Sequence, residues 1–150
     1  LQKTTGKTLE ELNIILNNQS GLEAFVPGHS DNRDLEKAVA QNNEMAILAN
    51  TMYINRIAEY IAKYYIKIPK IDALIFCGGV GENASQFRKQ VLEQLGKLGF
   101  VLDEEINQKI NKFSTPNYGI ISKPNSVIPC YVIPTDEELM IARETYKLIK

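Results

Sequence analysis

Ile71-Asp72-Ala73-Leu74-Ile75-Phe76-Cys77-Gly78-Gly79-Val80-Gly81-Glu82-Asn83-Ala84 is the stretch on which the fold turns. Its first half is apolar along nearly its whole length, which predicts a short strand buried on both faces. Gly78 to Asn83 then predict a tight loop. Ala84 to Lys97 predict a helix carrying Phe87, Val91 and Leu95 on one side, with Gly96 and Gly99 at its end. Strand, glycine loop and helix together can receive a nucleotide. Glycine admits positive φ and close backbone approach, and a helix start offers unpaired N–H groups.

Two local readings of the loop stand side by side. Gly79-Val80-Gly81-Glu82-Asn83-Ala84 fits G-x-G-x-x-A, a dinucleotide-binding variant, and Asp103 lies where a ribose-binding acid is expected, about 20 residues on. Glu82 would repel a pyrophosphate there, and the long, mainly helical stretch that precedes is an awkward start for that fold. No Gly-Lys-Ser/Thr follows, so the loop is not a P-loop. Alternatively, Asn83 simply caps the helix, with Gln86 completing a capping box.

Upstream, Thr8 to Leu16 predict a short helix opened by a Thr8/Glu11 capping box, and Asp31 to Asp34 lead into a second one through Val39. Glu44 to Tyr65 form the longest periodic segment. Met45, Leu48, Met52, Ile54, Ile57, Ile61 and Tyr64 predict the apolar stripe of a buried helix that ends before Pro69. Downstream, residues 118–123 and 127–133 read as strands. Leu139, Ala142, Tyr146 and Ile149 give a final helix one apolar face. The pattern is α/β, with helices between a few buried strands and no repeat or linker, hence a single domain over residues 1–150.

Composition narrows the function classes. The chain has 150 residues, 44% hydrophobic and 23% charged, as expected of a folded globular domain. Lys plus Arg is 17 and Asp plus Glu is 18, a net charge of −1 that leaves no footprint for nucleic acid or an anionic membrane. No apolar run approaches the roughly 20 residues that span a bilayer, and Leu1-Gln2-Lys3-Thr4 is not a signal peptide. Cys77 and Cys130 each sit in an apolar run and are expected to be reduced, buried and core-filling, which fits a cytoplasmic protein. A start at Leu1 rather than Met is expected of a processed chain or a piece of a longer one.

Two further clusters carry chemistry. In Thr135-Asp136-Glu137-Glu138, Thr135 and Glu138 form a capping box and Asp136 and Glu137 favour the helix start. Equally, a carboxylate just past a strand can hold Mg²⁺, and Glu137 is the free candidate. In Ser30-Asp31-Asn32-Arg33-Asp34, either aspartate can cap a helix and Arg33 can be a surface cation. His29 is the sole histidine, so no Ser–His–Asp or Cys–His arrangement and no Cys/His zinc cluster can be built; it is expected to be a loop residue.

Taken together, the motifs resemble the acetate kinases. Leu74 to Asn83 resembles their F-[TS]-[AG]-G-I-G-E-N stretch, and Ile133-Pro134-Thr135-Asp136-Glu137-Glu138-Leu139-Met140-Ile141-Ala142-Arg143 resembles I-P-T-N-E-E-L-x-I-A-R. Ser20-Gly21-Leu22 followed by Ser30-Asp31-Asn32-Arg33-Asp34 resembles S-G-L…S-D-x-R-D, and Leu98-Gly99-Phe100-Val101-Leu102-Asp103 resembles L-G-F-x-L-D. The resemblance runs in order over nearly the whole chain; propionate kinases share much of it.

The resemblance implies an actin-like ATPase fold, shared with sugar kinases and Hsp70, of which this chain supplies most of the C-terminal lobe. It implies reversible phosphoryl transfer from ATP to acetate with Mg²⁺, by a homodimer pairing mainly through this lobe. Gly79, Val80, Gly81, Glu82 and Asn83 are implied around the adenosine and α-phosphate, Asp31, Asn32 and Arg33 as the opposite wall, and Glu137 as the Mg²⁺ carboxylate. The family's catalytic arginines, aspartate and histidine and its H-x-G-N-G loop have no counterpart here, so the chain alone is expected to be inactive. Ala24, Val26, Pro27 and His29 replace small residues, Asp136 stands where the family has Asn, and Cys77 where it has Thr or Ser. Two readings of other classes remain beside it, a dinucleotide (NAD)-binding domain and a non-catalytic dimerisation module.

Overall fold

A computed structural model describes residues 1–28 and 31–149. Its elements are α1 (Gln2–Thr5), α2 (Leu9–Asn18), α3 (Leu22–Phe25), α4 (Asn32–Ala40), α5 (Glu44–Lys67), β1 (Leu74–Phe76), α6 (Gly78–Asn83), α7 (Ser85–Gln94), α8 (Glu104–Lys109), β2 (Gly119–Ile120), β3 (Cys130–Val132) and α9 (Glu137–Leu148). They divide into two compact units, Leu1–Arg56 and Ile57–Lys150, and the division falls inside α5.

The first unit is helical. Thr8 opens α2 with the expected capping box: its hydroxyl accepts the Glu11 N–H, and Glu11 accepts the Thr8 N–H. A small core gathers Val26, Leu35, Ala38, Ala46 and Ala49, with Leu22, Phe25 and Val39 packed against it. Asn43 starts α5, its Oδ1 accepting the Ala46 N–H at 3.0 Å. Of the expected stripe on α5, Ile54 is buried and Ile57 and Ile61 are half-buried, but Met45, Leu48, Met52 and Tyr64 are exposed, and Ala46, Ala49 and Ala58 are buried instead. Small alanines let a helix backbone approach its neighbours closely, so they occupy the face that long side chains would hold off. His29 lies outside the described residues.

The second unit is built on a three-stranded mixed sheet in the order β1-β3-β2. β1 runs parallel to β3 (Leu74 opposite Cys130, Phe76 opposite Val132), and β2 is antiparallel to β3. Phe76, Cys130 and Val132 point into a core with Phe87, Val91, Leu92, Leu95, Ile121 and Ile128. Phe76 meets Phe87 edge-on at 6.4 Å between ring centroids. β1 buries one face only, because Ile75 is exposed. Cys77, expected in the core, is exposed as well, one residue past the strand end where the chain turns out; only Cys130 is buried, and both are free thiols. Burial pushes the Cys130 thiol up to about 11, which leaves it unreactive at neutral pH.

α7 and the 3₁₀ turn Gly96–Leu98 occupy the span expected for one helix, and an isolated antiparallel bridge joins Leu102 to Ser122. α8 had no sequence forecast. Asp103 creates it by accepting the Ile106 N–H at 3.1 Å. α9 lies where expected, but its presumed inner face is not buried: Leu139, Tyr146 and Ile149 are all exposed. Among the described residues no helix is long and apolar enough to cross a membrane.

Candidate functional site

Gly78 to Asn83 are helical rather than a loop, and glycine is what permits it. Gly78 turns the chain out of β1 with φ +70°, a left-handed conformation that a side chain would strain. Gly81 presses on the strand: a Cβ there would sit 3.1 Å from the Phe76 carbonyl carbon. Gly79 is different, since a Cβ there would meet nothing within 4 Å, and it leaves open space.

This short helix is held at both ends by buried polar groups. At its start, Glu82, only 5% exposed, turns its carboxylate back, so that Oε1 accepts the Gly78 N–H at 2.9 Å. The same oxygen accepts the Thr135 N–H at 2.8 Å and the Thr135 hydroxyl at 2.9 Å. Burial alone would push this carboxyl up. The bonds from Thr135 and Gly78, with the charge of Lys112, outweigh it and hold the group below its ordinary range.

At the far end stands Arg88, 0% exposed. Its Nη1 donates to the carbonyls of Gly81 and Glu82, both at 2.9 Å. Its Nη2 donates to those of Asn107 (2.8 Å) and Ile110 (2.9 Å), and Nε donates to Asn107 Oδ1 at 2.7 Å. All five guanidinium protons are thus satisfied by neutral oxygens, which no lysine could match. Burial pulls Arg88 down to about 10, so it stays charged at neutral pH. Sequence reasoning passed over Arg88, because an arginine one position beyond Phe87 reads as a surface residue; nothing local shows that its acceptors come from α6 and α8.

Asn83 does not cap α7. Its Nδ2 donates to the Gly79 carbonyl and its Oδ1 accepts the Lys112 N–H at 3.1 Å, while Ala84 precedes α7 without a side-chain cap. The Thr135/Glu138 capping box is likewise not formed. Thr135 is engaged with Glu82, so Asp136 takes the cap, its Oδ1 accepting the Leu139 N–H at 2.8 Å.

These segments meet at one cleft of about 590 Å³ in the second unit, lined by Gly78, Gly79, Glu82, Asn83, Lys112 and the run Pro134 to Glu138, with Asn117. The fold therefore brings Gly79, Glu82, Asn83 and Glu137 together, whereas Val80 and Gly81 support the helix without lining the cleft. Four acids and one lysine border it, a balance that disfavours a bare polyanion and suits one that carries a cation. No cage of three or more His, Cys, Asp or Glu exists among the described residues. One exposed carboxylate, Glu137, still fits Mg²⁺, which takes one or two carboxylates and completes its shell with water and phosphate oxygens.

Asp31, Asn32 and Arg33 lie in the first unit. Asp31 caps α4 through the Arg33 N–H and also receives the Arg33 guanidinium on both oxygens, at 3.0 and 2.8 Å. The side-chain bond from Arg33 comes first among the causes that lower the Asp31 carboxyl to about 2. Asn32 donates to Glu36. Asp103, the ribose acid of a dinucleotide site, is engaged as the cap of α8.

A sequence model of the acetokinase family matches residues 1–143. The chain belongs to the acetokinase family. It is 43% identical over 145 residues to the acetate kinase of Campylobacter jejuni, covering 96% of this chain and 35% of that protein. It is 41% identical to that of Finegoldia magna, covering all of this chain and 37% of that protein. The acetokinase chain therefore spans about a third of the length of the curated relatives it matches. Its structure superposes on the crystal structure of Porphyromonas gingivalis acetate kinase with a TM-score of 0.84 at 35% identity, over 100% of this chain and 37% of that one. Against a propionate kinase from Francisella tularensis the TM-score is 0.83 at 37% identity, over 95% and 35% of the chains. The actin-like ATPase fold is thus the fold of this acetokinase chain, with its small mixed sheet and flanking helices.

Proposed function

We propose that this chain supplies most of the C-terminal, nucleotide-binding lobe of an acetate kinase, which makes acetyl phosphate and ADP from acetate and ATP. The observation that carries this is the cleft that joins the glycine helix to the acidic start of α9. In this reading, Gly79, Glu82 and Asn83 border the adenosine and α-phosphate, Val80 and Gly81 set their backbone, and Gly79 keeps the space clear. Asp31, Asn32 and Arg33 are proposed nucleotide-binding residues on the strength of their motif. Glu137 would hold Mg²⁺ directly or through water; when bound, that ion neutralises charge on the transferred phosphoryl group.

Transfer itself requires the acetate carboxylate to attack the γ-phosphorus in line, with cationic groups around it. The chain's share is to bind and orient the nucleotide, and alone it is proposed to be inactive. Propionate is an alternative acceptor, since the propionate kinase from Francisella tularensis shares the fold. The exposed Met45, Leu48 and Met52 of α5 support a homodimer interface, and a cytoplasmic location accords with the free thiols.

Amide NMR titration of the labelled chain tests the proposal. MgADP is expected to shift Gly79, Glu82, Asn83 and Asp31 to Arg33, with little response to NAD. A stronger NAD response that includes Asp103 overturns it.

A further inference from the structure

Three donors, two of them from a residue 53 positions further along the chain, converge on one carboxylate oxygen of the buried Glu82. Glu82 Oε1 accepts the N–H of Gly78, at the start of the glycine helix, and both the N–H and the hydroxyl of Thr135, at the turn before α9. Thr135 has given up the cap of α9 to make these bonds, and Asp136 has taken it over. The next residue is Glu137, which borders the same cleft as Gly79 and Asn83. At the other end of α6, Arg88 fixes the Gly81 and Glu82 carbonyls from within the core. The glycine helix is therefore anchored to the core at one end and tied to the acidic turn at the other.

We propose that Glu82 is a positioning residue, a latch whose carboxylate makes the glycine helix and the Thr135–Glu138 turn a single mechanical unit. Its part in nucleotide handling rests on the function proposed above; the latch itself rests on the three bonds. Although Glu82 lies in the motif facing the nucleotide, the oxygen that bonds Gly78 and Thr135 is turned toward the protein. A ligand that settles on Gly79 or Asn83 then moves Glu137 through Gly78, Glu82 and Thr135. A rigid link of this kind fixes the distance between the groups bordering the nucleotide and the carboxylate awaiting its cation.

The test uses the labelled chain with two readouts, amide hydrogen exchange without ligand and chemical-shift response to MgADP. Glu82→Met keeps the volume and removes the acceptor. Exchange at the Gly78 and Thr135 amides is expected to quicken roughly tenfold or more, the consequence of losing a charged acceptor. Thr135→Val, which removes the hydroxyl alone, is expected to give roughly threefold at Thr135. Glu82→Gln, which keeps an acceptor oxygen, restores most of the protection. With MgADP, the wild-type chain is expected to shift Glu137 together with Gly79 and Asn83. In Thr135→Val, at a residue given no nucleotide contact, the Gly79 response is expected to persist while the one at Glu137 falls, a separation that mere destabilisation would not produce. Unchanged exchange at both amides in Glu82→Met, or an undiminished Glu137 response in Thr135→Val, overturns the latch. If Glu82→Met does not fold, Thr135→Val against Glu82→Gln decides by the same criteria. A wild-type chain indifferent to MgADP sinks the proposed function, while hydrogen exchange still decides the latch.

Discussion

α6 and α9 meet at one cleft and are held in opposite ways. α6 is six residues long, too short to persist on its own. It is fixed by the Glu82 carboxylate, by the Arg88 guanidinium and by the contact of Gly81 with β1. α9 has twelve residues and a side-chain cap, yet every described residue along it is exposed. The shorter helix is thus the better determined, because buried polar bonds have no water to replace them and exposed ones do. The two helices are therefore two kinds of motif: one whose shape its own unit enforces, and one that offers its side chains outward.

The sharpest way to break this contrast is at Arg88. Arg88→Met leaves five buried oxygens without their donor and is expected to cost about 3–5 kcal/mol by urea denaturation. Arg88→Lys should recover only part, since an ammonium cannot reach acceptors on both α6 and α8. A loss below about 1 kcal/mol for Arg88→Met would mean that α6 stands without its core anchor.

Next come the glycines, which divide the helix between packing and ligand space. Gly81→Ala drives a methyl toward the Phe76 backbone and is expected to cost about 1–3 kcal/mol. Gly79→Ala enters open space, so stability should stay within about 0.5 kcal/mol while MgADP affinity falls. Thermal melts and a nucleotide titration of the two variants read this directly; equal effects on both would erase the distinction.

A smaller effect is expected in acid. The Glu82 carboxyl is held below its ordinary value in the folded chain. Its contribution is therefore complete above the ordinary glutamate range, near pH 4–5, and is lost as pH falls through the lower folded value. Glu82→Gln should flatten that limb of the stability-against-pH curve and leave the neutral limb parallel. The smallest effect is predicted on α9. Ile141→Lys, at a position 66% exposed, should change the stability of this chain by no more than about 0.5 kcal/mol. A larger loss would show that α9 is packed in solution.

Much of the fold was legible because the relevant signals are local. The Thr8 capping box, the start of α4 at Asp31, the span of α5 and the close of β1 before Gly78 each depend on neighbours within one turn. What misled were residues with two possible partners. Thr135 and Asn83 each have a local capping role available by spacing, and each instead bonds a distant residue, Glu82 and Lys112. The stripe of α5 was right at Ile54 and wrong at Met45, Leu48 and Met52, since hydrophobicity marks a stripe without saying whether alanine or methionine packs inward.

The sequence by itself determined the family, through ordered motifs whose spacing is fixed by the chain, and with it the mixed α/β architecture. It also marked the glycine-rich turn after the first strand, while only the structure told apart the left-handed Gly78, the close-packed Gly81 and the open Gly79. Only the tertiary structure decided that Arg88 is a buried anchor, that Glu82 faces Thr135, and that Gly79, Asn83 and Glu137 border one cleft. Those facts depend on which distant groups arrive at a given point in space. A buried hydrogen bond takes whichever partner the packing delivers, and one-dimensional spacing carries no record of that choice.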